Sequence, residues 1–393
     1  MSGLWAKLMT RKKLVKAFRS GDMYLTYKMS DGNERLILPK IHAVTLYDSA
    51  TTIVFSLPNG LDPKLLKKNY YVFEQYFGNN IELDGDIKRF TLTVNKGSLP
   101  NELTYNFAKI QPELEGLGMP IVCGKDSAGN WMVYDAITEP NCLISGEPGA
   151  GKSTQLRSIL ATLIQHKTPE ELHIYLGDLK MSEFFLFKDV KHVKSVCVYP
   201  EDMARMLKHI HGELKRRGEL LNKHRVTHIT KVPEKTPFIM LAIDEIVMIM
   251  DDKEMKKQLV QIVSLGRALG IYCILSLQRP SHDILDTKIR GLLTVRQGFR
   301  TTDASNSKII GTPGSERISK QTPGRFLIKR DELTELQAPY LTEEKAEEIL
   351  AAYRMEDWKD MFARSVTTSS PDPEESNLKS TLTEKDVFLD ATE

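Results

Sequence analysis

Between Asn141 and His166 the chain reads NCLISGEPGAGKSTQLRSILATLIQH, in which Gly146, Gly151, Lys152 and Ser153 satisfy the spacing G-x-x-x-x-G-K-[ST]. That spacing suits the phosphates of a nucleotide. Glycines let the backbone close round a phosphate with successive N–H groups pointing inward, and a helix starting near Lys152 adds its positive end. The cradle is then Gly146, Glu147, Pro148, Gly149, Ala150, Gly151, Lys152, Ser153 and Thr154. Lys152 would reach the β- and γ-phosphates of ATP, and the Ser153 hydroxyl would be a ligand of Mg²⁺. A chance glycine-rich turn would carry no particular flanks. Here the apolar run Cys142, Leu143, Ile144 precedes the loop, and Leu156, Ile159, Leu160, Leu163 and Ile164 follow on one helical face.

A second group of residues supplies what hydrolysis needs. Phe238 to Glu245, FIMLAIDE, is an apolar run ending in two carboxylates. A strand buried in a parallel sheet delivers its last residues to the carboxyl edge, beside the phosphate loop. Asp244 would hold Mg²⁺ through its water shell, and Glu245 would accept a proton from the water that attacks the γ-phosphate. Without the phosphate loop these would read as two solvent-facing acids at a strand end. Gln278, after the apolar ILSL, is placed to sense the γ-phosphate through its amide, although many strands end in a polar residue for no such reason.

These residues need a scaffold, and the chain supplies one. From the loop onward, apolar runs alternate with helical spacing: HIYLGDL, SVCVY, a helix from about Glu201 to Lys223, FIMLAIDE, a helix from about Lys253 to Leu269, and IYCILSLQ. Such alternation predicts an α/β fold with a parallel sheet covered on both faces. LTVRQGF and RFLIKR extend the sheet, and IVCGKDSAGNWMVYDA forms a hairpin leading into it. Before it, residues 22–116 read as a small α+β accessory domain, with Asp31-Gly32 as a hairpin turn and a helix over Leu65 to Phe77. Pro112, Gly116, Gly118 and Pro120 mark the boundary, so the nucleotide domain spans 117–355. Residues 365–393, rich in Ser, Thr, Pro and acids, read as a disordered acidic tail.

Composition narrows the class without deciding it. The 393 residues are 41% hydrophobic and 27% charged, with a formal net charge of +2, as in an ordinary globular protein. Cys123, Cys142, Cys197 and Cys273 lack C-x-x-C spacing, which points to a reducing cytosol and argues against a zinc site. No apolar run approaches the ~18 residues of a membrane span. Residues 1–21 form a basic, acid-free amphipathic segment with Leu4, Trp5, Leu8, Leu14, Val15 and Phe18 interleaved. It suits peripheral contact with an anionic membrane or nucleic acid, or equally a helix packed on its own domain.

The ordered set of motifs resembles the FtsK/SpoIIIE family of DNA-pumping ATPases. GKD at Gly124–Asp126 and GEPGAGKST are followed by GDLKMSEF at Gly177–Phe184, similar to the family's DPKxxEF. HGELKRRGELL at His211–Leu221 resembles its ExxRR helix, IDE at Ile243–Glu245 its second carboxylate motif, and SLGRALGIYCILSLQRPSHDIL at Ser264–Leu285 its RAxGIHLxxATQRP stretch. The chain departs at Gly177, at Leu179 in place of Pro, at Glu147-Pro148 and at Ser276-Leu277, none of which removes a catalytic group. The resemblance implies a RecA-like P-loop ATPase core, a homo-hexameric ring, ATP at subunit interfaces and DNA in the central hole. It also implies a neighbour's arginine completing each site, with Arg267 foremost and Arg296 or Arg300 as alternatives. Small members of this kind serve conjugative, plasmid or phage DNA transfer, with a relaxase or membrane channel as partner. The competing expectation is an ATPase energising type VII-like protein secretion.

Overall fold

The computed structural model describes residues 2–28, 34–47, 50–78, 80–95, 97, 99–281, 284–285 and 287–355. The Asp31-Gly32 turn and the 365–393 tail lie outside the described residues. Two compact units emerge: Met1–Pro100 with Asp126–Asn130, and Asn101–Lys125 with Trp131–Glu393.

The first unit contains α1 (Ser2–Ser20), β1 (Leu25–Lys28), β2 (Glu34–Ile37), β3 (Lys40–Leu46), β4 (Ala50–Ser56), α2 (Lys64–Lys68), α3 (Tyr70–Phe77), β5 (Ile81–Gly85) and β6 (Arg89–Asn95). Strands β3-β4-β6-β5 form an antiparallel sheet, and β1 pairs with β2. The helix expected over Leu65 to Phe77 is broken at Asn69, whose side chain donates to Gly21 O at 2.7 Å. Segment 1–21 is part of this unit, because Leu14, Ala17 and Phe18 are fully buried and Phe18 meets Phe55 edge-on at 5.1 Å. Its first half is different: Leu4, Trp5, Leu8 and Met9 are exposed.

The second unit holds β7 (Leu103–Thr104), α4 (Phe107–Ile110), β8 (Pro120–Lys125), β9 (Trp131–Asp135), β10 (Asn141–Ser145), α5 (Lys152–His166), β11 (Leu172–Asp178), β12 (Val193–Cys197) and α6 (Pro200–His224). It continues with β13 (Phe238–Asp244), α7 (Val247–Met250), α8 (Lys253–Leu269), β14 (Ile271–Leu277), α9 (Thr287–Leu292), β15 (Val295–Phe299), α10 (Ala304–Ile310), β16 (Arg325–Lys329), β17 (Leu333–Gln337), β18 (Pro339–Tyr340) and α11 (Glu343–Leu350). Residues 101–116 belong here and not to the accessory unit: Ile110 and Leu114 are buried in the nucleotide unit's core. The glycines and prolines after Gln111 therefore mark a loop within the domain, and the unit boundary falls near Pro100.

A ten-stranded sheet of order β12-β11-β13-β14-β10-β15-β16-β17-β8-β9 forms the backbone of this unit. Strands β12 through β15 in that order are parallel, and pairing turns antiparallel from β16 onward. Alternate residues of each central strand feed two cores, as the pleat requires. Met240, Ala242 and Ile274 pack with Ile159, Leu160 and Leu163 of α5, whereas Leu241, Ile243 and Leu275 pack with α6 and α8. Gly177 in place of an apolar residue has a local reason: a Cβ there would lie 2.1 Å from Met203 Cε, so α6 fills the space from the other side.

Chain-end chemistry fixes the helices that carry the sheet. Pro200 opens α6 with Glu201 and Asp202 in its first turn, and Lys223 and His224 close it, complementing the helix dipole. Asp252 caps α8 through the N–H groups of Glu254 and Met255, and Gly270 ends it in the left-handed region. Arg217, in the basic run of α6, is 1% exposed and not a solvent-facing charge. Its guanidinium donates to Leu269 O at 2.9 Å, Pro237 O at 2.8 Å and Glu213 Oε2 at 3.1 Å, tying α6 to the end of α8 and the start of β13. Substituting Arg217→Ala leaves those buried carbonyls unpaired, and we expect a loss of about 3 kcal/mol, read as a lower denaturation midpoint. A midpoint unchanged from the native protein would contradict this structural role.

Candidate nucleotide site

Register sets the strand ends level. Ser145 of β10 pairs with Leu277 of β14, Ile243 of β13 with Leu275, and Asp178 of β11 with Asp244. The loops after these four strands therefore emerge at one carboxyl edge, where open α/β sheets bind ligands. They carry Gly146–Gly151, Gln278, Glu245 and the segment Asp178–Phe185.

The phosphate loop leaves β10 with Glu147 N donating to Arg300 O at 2.9 Å and enters α5 through Gly151, whose φ is +109°. A side chain at Gly151 would meet Gly324 N at 2.7 Å, so this position needs glycine for both conformation and space. Lys152, 5% exposed, points back across the loop with Nζ 3.5 Å from Glu147 O. Burial lowers its pKa, and the charges of Asp244 and Glu245 oppose that shift.

The two carboxylates differ in their surroundings. Asp244 is 3% exposed, and burial raises its carboxyl above the ordinary range, opposed by the Ser276 hydroxyl and Lys152. Glu245 holds φ at +67°, a left-handed conformation that costs a non-glycine residue about 1 kcal/mol or more and is concentrated at functional sites. Its Oε2 accepts from Lys180 Nζ at 2.7 Å and from Gln278 N at 3.3 Å, while Oε1 is buried with no protein partner among the described residues. One carboxylate oxygen is thus fixed and the other remains able to accept a proton or a hydrogen bond.

Two further residues join the site through the loop after β11. Asp178 is 1% exposed and accepts from the N–H groups of Ser182, Glu183 and Phe184 at 3.1, 2.8 and 3.0 Å, which pins that loop. The pinned loop delivers Lys180 to Glu245 and brings Glu183 within 2.5 Å of the Ser153 hydroxyl, which donates to it. Burial raises the Glu183 carboxyl. Both lie in GDLKMSEF, a segment legible as a motif, yet their roles depend on contacts 30 and 65 residues away.

A cavity of about 530 Å³ opens beside the phosphate loop. Lys152, Ser153, Thr154, Glu183 and Gln278 line one part, and Pro148, Pro323, Gln337, Pro339 and Tyr340 another, a polar phosphate end and a less polar end suited to a base. The donor set fits magnesium-bound ATP. Among the described residues no group of three or more His, Cys, Asp or Glu could hold a metal alone, whereas a hydroxyl, an outer carboxylate and phosphate oxygens are what Mg²⁺ takes.

Of the three arginines, two are engaged within their own chain. Arg300 forms an ion pair with Glu147 of the phosphate loop, and Arg296 donates to Leu293 O and Arg290 O at 3.1 and 2.8 Å. Arg267 is exposed on the last turn of α8, which leads into the start of β14. That is the opposite edge of the sheet from the phosphate loop, about 20 Å along a seven-residue strand.

A phosphate loop heading a parallel strand, with an Asp–Glu pair on the strand one removed from it, defines a P-loop ATPase. Residues 114–247 match the model of the FtsK/SpoIIIE family. It is 28% identical over 253 residues to the DNA translocase FtsK of Treponema pallidum (strain Nichols), covering 61% of this chain and 32% of the relative. It is 31% identical over 255 residues to the DNA translocase FtsK of Leptospira interrogans, covering 60% and 27%. The chain thus spans about a third or less of the length of these relatives. In fold it is similar to the pCW3 conjugation coupling protein TcpA in its monomer form with ATPγS, with TM-score 0.59 at 20% identity over 87% of this chain and 98% of that one. The cytoplasmic domain of the Thermomonospora curvata type VII secretion ATPase EccC gives TM-score 0.54 at 25% identity over 60% and 31%.

Separate roles for the two ends of the site lead to separable variants. Lys152→Ala is expected to abolish ATP binding, whereas Glu245→Gln retains binding and loses turnover by about 100-fold or more, checked by nucleotide titration and phosphate release. Tyr340→Ala should raise KM for ATP several-fold with kcat little changed. Equal loss of binding in the Glu245 and Lys152 variants would contradict this division.

Proposed function

We propose that the chain is an ATP-driven DNA translocase working as a homo-hexameric ring. The reading is carried by the conjunction of the Lys152, Asp244 and Glu245 cluster with the ordered motifs of a family whose matched relatives are named DNA translocases. Lys152 and the loop amides bind and orient the phosphates, with Ser153 as a magnesium ligand and Asp244 acting through the ion's water. Bound Mg²⁺ neutralises charge on the phosphate oxygens. Glu245, held by Lys180, takes the proton of the attacking water, and Gln278 reports the state of the γ-phosphate to β14. Ser153 must exchange its bond to Glu183 for the ion, which ties loading of the site to the loop after β11.

Arg267 of a neighbouring copy completes the site, since its position is remote from the phosphate loop of its own chain and exposed. The role is transfer of DNA for a conjugative, plasmid or phage element, with a relaxase or membrane channel as partner. The likeness to TcpA in fold and in extent supports this setting. The protein works in the cytoplasm, and the first half of α1 seats it on the inner membrane face: Leu4, Trp5, Leu8 and Met9 are exposed beside Lys7, Arg11 and Lys12, with no acid in the helix. No helix among the described residues is long and apolar enough to cross a membrane. The likeness to EccC favours a second reading, an ATPase of type VII-like protein secretion.

DNA separates the two readings. Steady-state ATPase activity should rise several-fold with DNA and lose that stimulation as salt rises from about 50 to 200 mM, because phosphate contacts release counterions. Turnover indifferent to DNA in an assembled ring would favour secretion. Binding to anionic vesicles should fall on changing Leu4, Trp5 and Leu8 to Ser; retained binding would contradict the membrane seat.

A further inference from the structure

Glu183 lines the phosphate end of the nucleotide cavity beside Lys152, Ser153 and Thr154. Other acids close by are engaged: Asp178 accepts from three backbone N–H groups, Glu147 is paired with Arg300, and Glu245 is held by Lys180. Glu183 is half-buried, and among the described residues its carboxylate has no ion pair. The cations within reach of this end are committed elsewhere, Lys180 to Glu245 at 2.7 Å and Arg157 to Glu343 at 2.8 Å. What the carboxylate does accept is a hydrogen bond from the neutral Ser153 hydroxyl, which offsets only part of the cost of removing a charge from water.

The main chain of Glu183 is anchored independently of that side chain. Its N–H donates to Asp178 Oδ2 at 2.8 Å, between the bonds from Ser182 and Phe184, so the carboxylate is kept at the cavity whether or not Ser153 holds it. Loading of the site changes what the carboxylate meets. Mg²⁺ demands near-octahedral geometry and dehydrates reluctantly, so with a hydroxyl and phosphate oxygens as direct ligands it keeps several waters. Those waters are strong donors that need acceptors, and the groups that supply them tune the ion. When Ser153 turns to the ion, Glu183 gives up its side-chain partner just as such donors arrive beside the same hydroxyl.

We propose that Glu183 is a second outer carboxylate of the magnesium site, accepting from a water of the ion on the Ser153 side as Asp244 does from the end of β13, an assignment that rests on the nucleotide site proposed above. Glu183 is then a positioning residue that acts through the ion's water. The loop after β11 carries both this residue and Lys180, so arrival of the metal is felt where Glu245 is held. A carboxylate that merely occupied Ser153 in the empty site would compete with the metal instead. The two roles have opposite signs: removing an acceptor weakens metal binding, whereas removing a competitor tightens it.

Mn²⁺ takes the same oxygen ligands as Mg²⁺, and its free form is counted by electron paramagnetic resonance. It would be titrated into the full chain saturated with ATPγS, with ATPγS affinity measured separately in EDTA. Glu183→Gln should weaken Mn²⁺ binding to the nucleotide complex about ten-fold, the usual cost of losing an outer-shell partner, while ATPγS in EDTA binds as tightly as before or more so. Glu183→Asp should recover part of the metal affinity. Mn²⁺ affinity unchanged or tightened by Glu183→Gln would overturn the proposal, as would loss of ATPγS binding in EDTA by both Glu183 variants, which would give the residue to the fold or to the phosphates. ATPγS binding untouched by Lys152→Ala would overturn the nucleotide site itself, and the proposal with it, through a variant that leaves Glu183 in place.

Discussion

A lysine ammonium buried at the head of a parallel sheet is the constraint on which the rest of the site depends. Lys152 can be kept there as a cation only with compensation, because burial alone favours its neutral form. Asp244 and Glu245 provide that compensation, and they do so because β13 lies one strand from β10 in a sheet whose parallel register brings their ends level. The same burial that strains the ammonium raises the Asp244 carboxyl, so the cluster is poised to exchange internal pairings for a phosphate and a cation. Strand order, register and charge are one requirement seen at three scales.

The loop after β11 adds a second level of control. Asp178 satisfies three of its amides, fixing the route by which Lys180 reaches Glu245 and Glu183 reaches Ser153. Glu245 itself sits in a left-handed conformation, a cost the surrounding contacts must hold in place. A buried carboxylate restrained by a lysine on a separate loop couples the carboxyl edge of the sheet to whatever touches that loop.

Much of this was legible in the sequence because it is local. The phosphate loop, the apolar run into Asp244 and Glu245, and the caps of α8 are written in consecutive residues. What escaped depends on distance. The ExxRR-like motif of α6 is legible, but nothing local shows that Arg217 is turned inward to close carbonyls 20 and 52 residues away. Glycines and prolines after Gln111 look like a domain boundary, whereas Ile110 and Leu114 already pack in the nucleotide unit. Segment 1–21 shows one amphipathic pattern, yet only the half with Leu14, Ala17 and Phe18 is buried. Arg300 carries the right charge for a neighbour's site but is paired with Glu147 of its own loop.

The central claim is that hydrolysis at this edge moves the protein along DNA, and displacement of a third strand tests it most directly. Purified protein would be loaded on duplex DNA bearing a labelled triplex-forming oligonucleotide, and its release followed with ATP and with ATPγS. The account predicts ATP-dependent release that slows as the duplex track ahead of the triplex lengthens, and none with ATPγS. Continued ATP turnover on that DNA with the third strand left in place would contradict it.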